Sequence, residues 1–145
     1  MDIKGLTTRV SVNTPADTVN MLVVAIGKLG VEHIIRINHA FDAQKAGLQL
    51  LPSEVIIFGN PLTGTPLMQS TPTLALELPL KLLVWSDTSG ATNVSYNQPD
   101  WLAERYGLTG HASTLNLMTD MIESVIAQAI APVEPRSTFS SRAPK

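Results

Sequence analysis

A histidine that closes a strand-like segment and a nearby loop of glycines and prolines are the residues of this chain whose types and positions suit chemistry. His39 ends Glu32–His39, where His33, Ile35, Ile37 and His39 alternate onto one face and Glu32, Ile34, Arg36 and Asn38 onto the other. Imidazole titrates near neutral pH and is the commonest metal ligand. His39 therefore suits an axial ligand to haem iron or a general base, and the plainer reading is a structural histidine bonded to backbone. His33 shares its face but lies six residues away, or ~20 Å at strand rise, too far to ligate the same metal within one chain. His111, in a loop or at a helix start, reads as solvated. The third histidine therefore does not complete a three-histidine zinc site.

The second feature is Gly59-Asn60-Pro61-Leu62-Thr63-Gly64. Its glycine spacing is that of a phosphate loop, but Thr65-Pro66 follows where Lys-Ser/Thr is required. Thr65 before Pro66 would still make a helix N-terminus whose free N–H groups attract anions, and the plainer reading is a capped strand-to-helix connection. Lys45 follows Asp42 at i, i+3 and reads first as a surface pair; the functional alternative is that it converges with His39 on an anionic ligand. Glu77 and Lys81 flank Pro79 and read as exposed, while Trp85 and Tyr96 fill the core or an interface. There is no GxGxxG, GxSxG or HExxH in the sequence, which removes dinucleotide, nucleophile-elbow and zincin signatures. The candidate ligand-binding set is His39, Lys45, Phe58, Gly59, Asn60, Gly64, Thr65 and Met68, with His39 a candidate metal ligand solely as an axial base of a haem.

These residues need elements to position them. Leu6–Val12 is β-branched and roughly alternating, so it predicts a strand. Thr14, Pro15 and Asp17 open a helix whose apolar stripe is Val19, Leu22, Val23 and Ile26, and Gly30 stops it. Glu32–His39 is the second strand and Ala40–Leu50 holds a short helix. Val55-Ile56-Ile57-Phe58 is apolar on both faces and reads as a strand covered on both sides. Prolines divide Leu62–Leu76 into two helical pieces, Pro66–Ser70 and Pro72–Leu76. Leu80–Ser86 and Thr92–Asn97 flank Asp87-Thr88-Ser89-Gly90, a hairpin signal. Gln98-Pro99 opens a helix that Gly107 closes. The last helix, about Ser113–Ile130, carries Leu115, Met118, Ile122, Val125 and Ala129 at spacings of three and four. The fold predicted is α/β: a two-layer sandwich with a mixed, at least partly antiparallel sheet and helices packed on it. One domain is expected over residues 1–131, and 132–145, rich in Pro and Ser, as a disordered tail.

Composition narrows the function classes. The chain has 145 residues, 44% hydrophobic and 15% charged, with no cysteine, so it is long enough for its own core. Disulfide frameworks, thiolate catalysis, Cys-ligated clusters and covalent haem attachment are excluded. Net charge is −2, and Arg136, Arg142 and Lys145 oppose only Glu134 in the last 14 residues, so the remainder has seven basic against eleven acidic groups. That is not the basic surface of a nucleic-acid binder. The longest apolar run, Met21–Ile26, falls far short of the ~20 residues of a membrane span, and Met1–Val12 has no apolar signal-peptide core. A cytoplasmic protein is expected.

Taken together, Ile37-Asn38-His39-Ala40, Lys45-Ala46-Gly47-Leu48, Leu51–Pro61, Gly64-Thr65-Pro66-Leu67-Met68-Gln69, Pro72-Thr73, Leu78-Pro79-Leu80-Lys81 and Ser95-Tyr96-Asn97 resemble the bacterial and archaeal family known as domain of unknown function 302. The resemblance runs from Ile37 to Leu108. It implies a compact α/β domain that pairs as a homodimer and supplies no established reaction. The family pattern carries a histidine where His39 stands, Gly-Asn-Pro where Gly59-Asn60-Pro61 stand, and Gly-Thr-Pro-Leu-Met at Gly64–Met68. The leading expectation is a homodimer holding a small molecule near His39 and the Gly59–Met68 loop, with haem as its specific variant and Met68 or a second subunit's His39 as sixth ligand. An interaction module without ligand, using the terminal helix, and an enzyme with His39 as general base are the alternatives.

Overall fold

Hydrophobic patterning sets the order of elements. In the computed structural model, which describes residues 2–31 and 33–133, the chain forms β1 (Leu6–Ser11), α1 (Pro15–Gly27), β2 (Ile34–Asn38), α2 (His39–Lys45), β3 (Ser53–Phe58), α3 (Pro61–Ser70), a 3₁₀ turn (Pro72–Leu76), β4 (Leu80–Ser86), β5 (Thr92–Asn97), α4 (Pro99–Arg105) and α5 (Ala112–Ile130). The five strands make one sheet in the order β1-β5-β4-β3-β2, with every neighbouring pair antiparallel. The fold is α/β, and the antiparallel pairing expected for part of the sheet extends to all of it. Glu32 and residues 134–145 lie outside the described residues, and with them most of the segment expected to be a disordered tail.

The helices follow their local signals. Thr14 Oγ1 accepts from the Asp17 amide at 3.2 Å and Pro15 takes the first turn of α1, so a donor without an intrahelical partner is satisfied where proline costs nothing. Val19, Leu22 and Ile26 bury their side chains against β3 and β4. The stripe of α5 is buried as its spacing predicts: Leu115, Met118, Ile122, Val125 and Ala129, joined by Ile126. One core between the sheet and these helices takes in Ile56, Phe58, Leu82, Val84 and Val94. Burial of each such side chain contributes about 1.5–3 kcal/mol.

Two expectations are corrected. α3 starts at Pro61, not Pro66: Asn60 caps it by accepting from the Leu62 amide at 2.9 Å, and Pro66 sits inside the helix. The carbonyl that Pro66 leaves without a donor is that of Leu62, a residue 84% exposed and so open to solvent. Nor is β3 covered on both sides. Ile56 and Phe58 face the helices and are buried, whereas Val55 and Ile57 point to the opposite face and are only partly buried. Register places Ile35, Ile37, Val55, Ile57, Leu83 and Trp85 on that second face, and no helix packs there. Its polar residues near β5 bond laterally: Ser95 Oγ accepts from Trp85 Nε1 at 2.9 Å and pairs with Thr8 Oγ1 at 2.8 Å.

Candidate functional site

The predicted site residues separate into two groups at opposite ends of the sheet. β2 and β3 pair with Asn38 opposite Glu54 and Ile34 opposite Phe58. His39 and Lys45 therefore lie at the Ser53 end of β3, while Phe58, Gly59, Asn60, Gly64, Thr65 and Met68 lie at the other end. The six residue steps from Ser53 to Gly59 span ~20 Å, so one small molecule cannot touch His39 and the Gly59–Met68 loop of the same chain. His39 and Met68 likewise cannot be the two axial ligands of one haem within a chain.

At the loop end Gly59, Asn60 and Phe58 have structural explanations. A side-chain carbon at Gly59 would stand 3.0 Å from the Pro79 Cβ, so glycine allows a close approach of two loops. Asn60 is the cap of α3, and Phe58 is a core side chain, 1% exposed. Because Thr65 lies within α3, the expected anion-binding helix start does not exist there.

At the other end His39 is the exposed first residue of α2, whose N-cap is Asn38: its side chain accepts from the Phe41 amide at 2.9 Å. Lys45 pairs with Asp42 at 3.1 Å and lies over the Phe41 ring, 4.9 Å from its centroid. Both groups of the pair are more than half exposed, so this is the surface pairing expected at i, i+3 and contributes little. Among the described residues no three of His, Asp and Glu gather closely enough to hold a metal ion.

Between these residues and the start of α1 opens a cleft of ≈ 1020 Å³. Sequence reasoning missed it, because its walls come from four separated segments. The first turns of α1 supply Thr14, Pro15, Ala16 and Val19; α2 supplies Ala40, Phe41 and Gln44; the connection into β3 supplies Leu48–Pro52; and Asn38, Ser53, Glu54 and Val84 form the floor. The available signal was Leu48-Gln49-Leu50-Leu51-Pro52, an apolar run after the φ-positive Gly47 that ends α2. Phe41, Leu48, Leu50 and Leu51 are between 49% and 67% exposed, so large apolar side chains line an open mouth.

One charged side chain lines the cleft, Glu54, and its side chain is only 12% exposed. It accepts from Arg36 Nε at 2.6 Å and Asn38 Nδ2 at 3.2 Å, which fixes the carboxylate and leaves it acceptor capacity. Gln44, Gln49 and Ser53 add neutral hydrogen-bonding groups. The walls contain no His, Met or Tyr, so a haem iron seated there would find no axial ligand of these types.

A second polar cluster sits between the sheet and α5. Glu123 accepts from Arg9 Nη2 at 3.0 Å and from the buried Tyr96 hydroxyl. Burial and the Glu123 contact push the Tyr96 phenol up to about 12. Burial raises the Glu123 carboxyl too, but hydrogen bonds from Arg9 and Tyr96 outweigh it and hold the group below its ordinary value. The arrangement ties β1 and β5 to α5.

Comparison with known proteins places this geometry. The profile of the family "Domain of unknown function DUF302" matches residues 6–129. The proteins named fluoride-specific ion channel FluC 1 of Brucella suis biovar 1 and Brucella abortus biovar 1 are each 41% identical over 104 residues. Those residues are 72% of this chain and 41% and 38% of the two relatives, so the chain spans about two fifths of their length. The crystal structure of an uncharacterized conserved DUF302 protein from Bacillus stearothermophilus is similar with a TM-score of 0.69, covering 88% of this chain and 97% of that one at 18% identity. It has the same fold. Among the described residues no helix is long and apolar enough to cross a membrane.

Proposed function

The chain belongs to the DUF302 family, and from that premise we propose that it is a cytoplasmic, homodimeric binding module that takes a small, largely apolar molecule into the cleft between α1 and α2. One observation carries the reading: an open cleft of ≈ 1020 Å³ whose walls are aliphatic and aromatic, with one fixed carboxylate and a few amides. Binding sites for small molecules have this make-up, apolar walls with few placed polar groups. Glu54 as the charged lining group favours a ligand that donates hydrogen bonds or carries positive charge. The anionic ligand that Lys45 and His39 would have held is disfavoured, since Lys45 is paired with Asp42 outside the lining.

The dimer uses the uncovered face of the sheet. Five strands at ~4.8 Å spacing and six residues at ~3.3 Å rise give a plan area of roughly 500 Å². A standard interface covers ~800 Å² per partner, so the contact would be a small one. Lys81 is the charged residue on this face among the described strand residues. Two copies can therefore meet about a two-fold axis with little like-charge repulsion.

The Brucella relatives support a modular role. An ion channel must cross the bilayer, and a helical span needs ~20 apolar residues. The stretch they share with this chain has no such helix among the described residues here. In this reading the shared stretch is a module that these relatives carry beside other sequence. The module then binds an effector rather than fluoride itself, because apolar walls do not replace the hydration shell of a small anion.

Titration with Nile red, a neutral apolar fluorophore, tests the cleft. The protein should bind it with a blue-shifted emission, Ala16→Trp should weaken binding at least tenfold by filling the mouth, and sodium fluoride should not compete. Equal binding by wild type and Ala16→Trp would place the dye elsewhere and overturn the reading.

A further inference from the structure

We infer that the cleft takes a neutral, flat heteroaromatic molecule that stacks on Phe41 and donates a ring N–H to Glu54. This rests on the reading of the cleft as a small-molecule pocket and names the chemical class of its ligand.

The first ground is that one side chain ties the ring and the carboxylate together. Asn38 Oδ1 accepts from the Phe41 amide at 2.9 Å, and Asn38 Nδ2 donates to Glu54 Oε1 at 3.2 Å. Two hydrogen bonds and one carboxamide therefore separate the Phe41 backbone from the Glu54 carboxylate, a span of roughly 8 Å at most. A fused-ring molecule reaches across that distance. Asn38, Phe41 and Glu54 all line the cleft.

The second ground is the charge balance, which selects a neutral ligand. Glu54 is already ion-paired with Arg36 at 2.6 Å, so a cation gains little from it. What the pair leaves is direction. A carboxylate has about four acceptor positions, and Arg36 Nε and Asn38 Nδ2 take two of them. The Lys45 ammonium stands over the Phe41 ring, 4.9 Å from its centroid, and Lys45 is not among the lining residues. One face of the ring thus serves a cation already, and the other is left to the cleft. A second cation there would oppose the first through the ring, whereas a neutral ring stacks offset at ~4.5–7 Å between centroids. An anion would meet Glu54 with no cationic side chain in the walls.

The third ground is the kind of donor. A heteroaromatic N–H of the indole type donates and has no lone pair of its own to satisfy. It matches an acceptor-only carboxylate beside apolar walls, where a hydroxyl would bring lone pairs needing further donors. Phe41 and Leu50 are 56% and 52% exposed, so a flat ring laid between them removes apolar surface from water.

Carbazole and dibenzofuran are fluorescent flat tricycles of one shape, with a ring N–H in the first and a ring oxygen in the second. Titrated into the full chain, carbazole should bind at least tenfold more tightly, because the oxygen makes no hydrogen bond to a charged acceptor. Glu54→Gln should cut that preference at least threefold. Phe41→Ala should weaken both compounds at least threefold and leave the preference in place. Equal binding of the two by wild type, binding of neither, or a preference that Glu54→Gln leaves intact overturns the inference; Nile red binding that Ala16→Trp weakens then keeps the pocket reading standing. Loss of Nile red binding as well removes both readings. Should Glu54→Gln fail to fold, Phe41→Ala decides: unchanged affinities for both tricycles place them elsewhere and overturn the inference.

Discussion

Replacing Ile35 and Ile37 together by lysine should convert a dimer into a monomer without unfolding it. Both side chains point to the uncovered face of the sheet from its edge strand, and they are 53% and 37% exposed. Full burial of an isoleucine is worth about 1.5–3 kcal/mol, so covering what these two expose contributes about 2 kcal/mol per chain. A two-fold interface counts each residue twice, giving about 4 kcal/mol per dimer, or nearly three decades in Kd. Area bookkeeping overstates such sums, whereas desolvating four added ammonium groups acts in the same direction. A rise in Kd of at least a hundredfold is expected. Sedimentation velocity between 1 and about 100 µM, concentrations at which ordinary dimers dissociate or hold, should show a wild-type species of twice 15.6 kDa and a double variant at 15.6 kDa. The melting temperature should move by only a few degrees, because lysine is tolerated on edge strands. Wild type that is monomeric throughout, or a double variant that dimerises as tightly as wild type, would refute the assignment of this face.

Two further outcomes follow from the packing. Tyr96 keeps its proton in the folded state up to about pH 12, against ~10 in an unfolded chain, so its contribution to stability is complete below pH 10 and lost as pH rises from 10 to 12. An ultraviolet titration should show tyrosinate from this residue only above pH 11, and a step near 10 that Tyr96→Phe removes would contradict the buried contact with Glu123. Gly5→Ala should destabilise severely, by about 3 kcal/mol or more, because Gly5 has φ +81° and a Cβ there would overlap the Trp101 ring. A urea midpoint unchanged by that substitution would show that Trp101 does not pack where the structure places it.

How much of this was legible in the sequence depends on how local each signal is. The opening of α1 by Thr14-Pro15, the stripe of α5 and the Asp87–Gly90 hairpin depend on residues within a few positions, and all three form as read. In the hairpin Asp87 accepts from the Ser89 and Ala91 amides, a turn written into four residues. The start of α3 was misplaced because Asn60 and Thr65 each precede a proline and offer equivalent local caps; the structure uses the first, with the Leu62 amide donating to Asn60. His39 and the Gly59 loop were joined because both stand at ends of strands. Which end is a matter of topology: an antiparallel β2–β3 pair sends them to opposite ends, and a parallel pair would have brought them together.

The apolar run Val55–Phe58 shows most clearly how sequence and function part company. Alternation fails in β3 because both of its faces carry isoleucine or valine, and the rule for such strands demands cover on both sides. Within one chain the helices cover only the face of Ile56 and Phe58. The rule counts apolar surface and cannot say which molecule removes it from water. Exposed apolar patches of several hundred Å² on a folded chain mark interaction sites, so the second face of β3 is read as cover owed by another copy. The cleft obeys the same logic on a smaller scale. Leu48, Leu50 and Leu51 are 67%, 52% and 49% exposed in a connection that any polar sequence could have made. Two unfilled apolar surfaces on opposite faces of one sheet leave the copy-to-copy contact and the pocket free to be occupied independently, and variants on one face should leave the other unchanged.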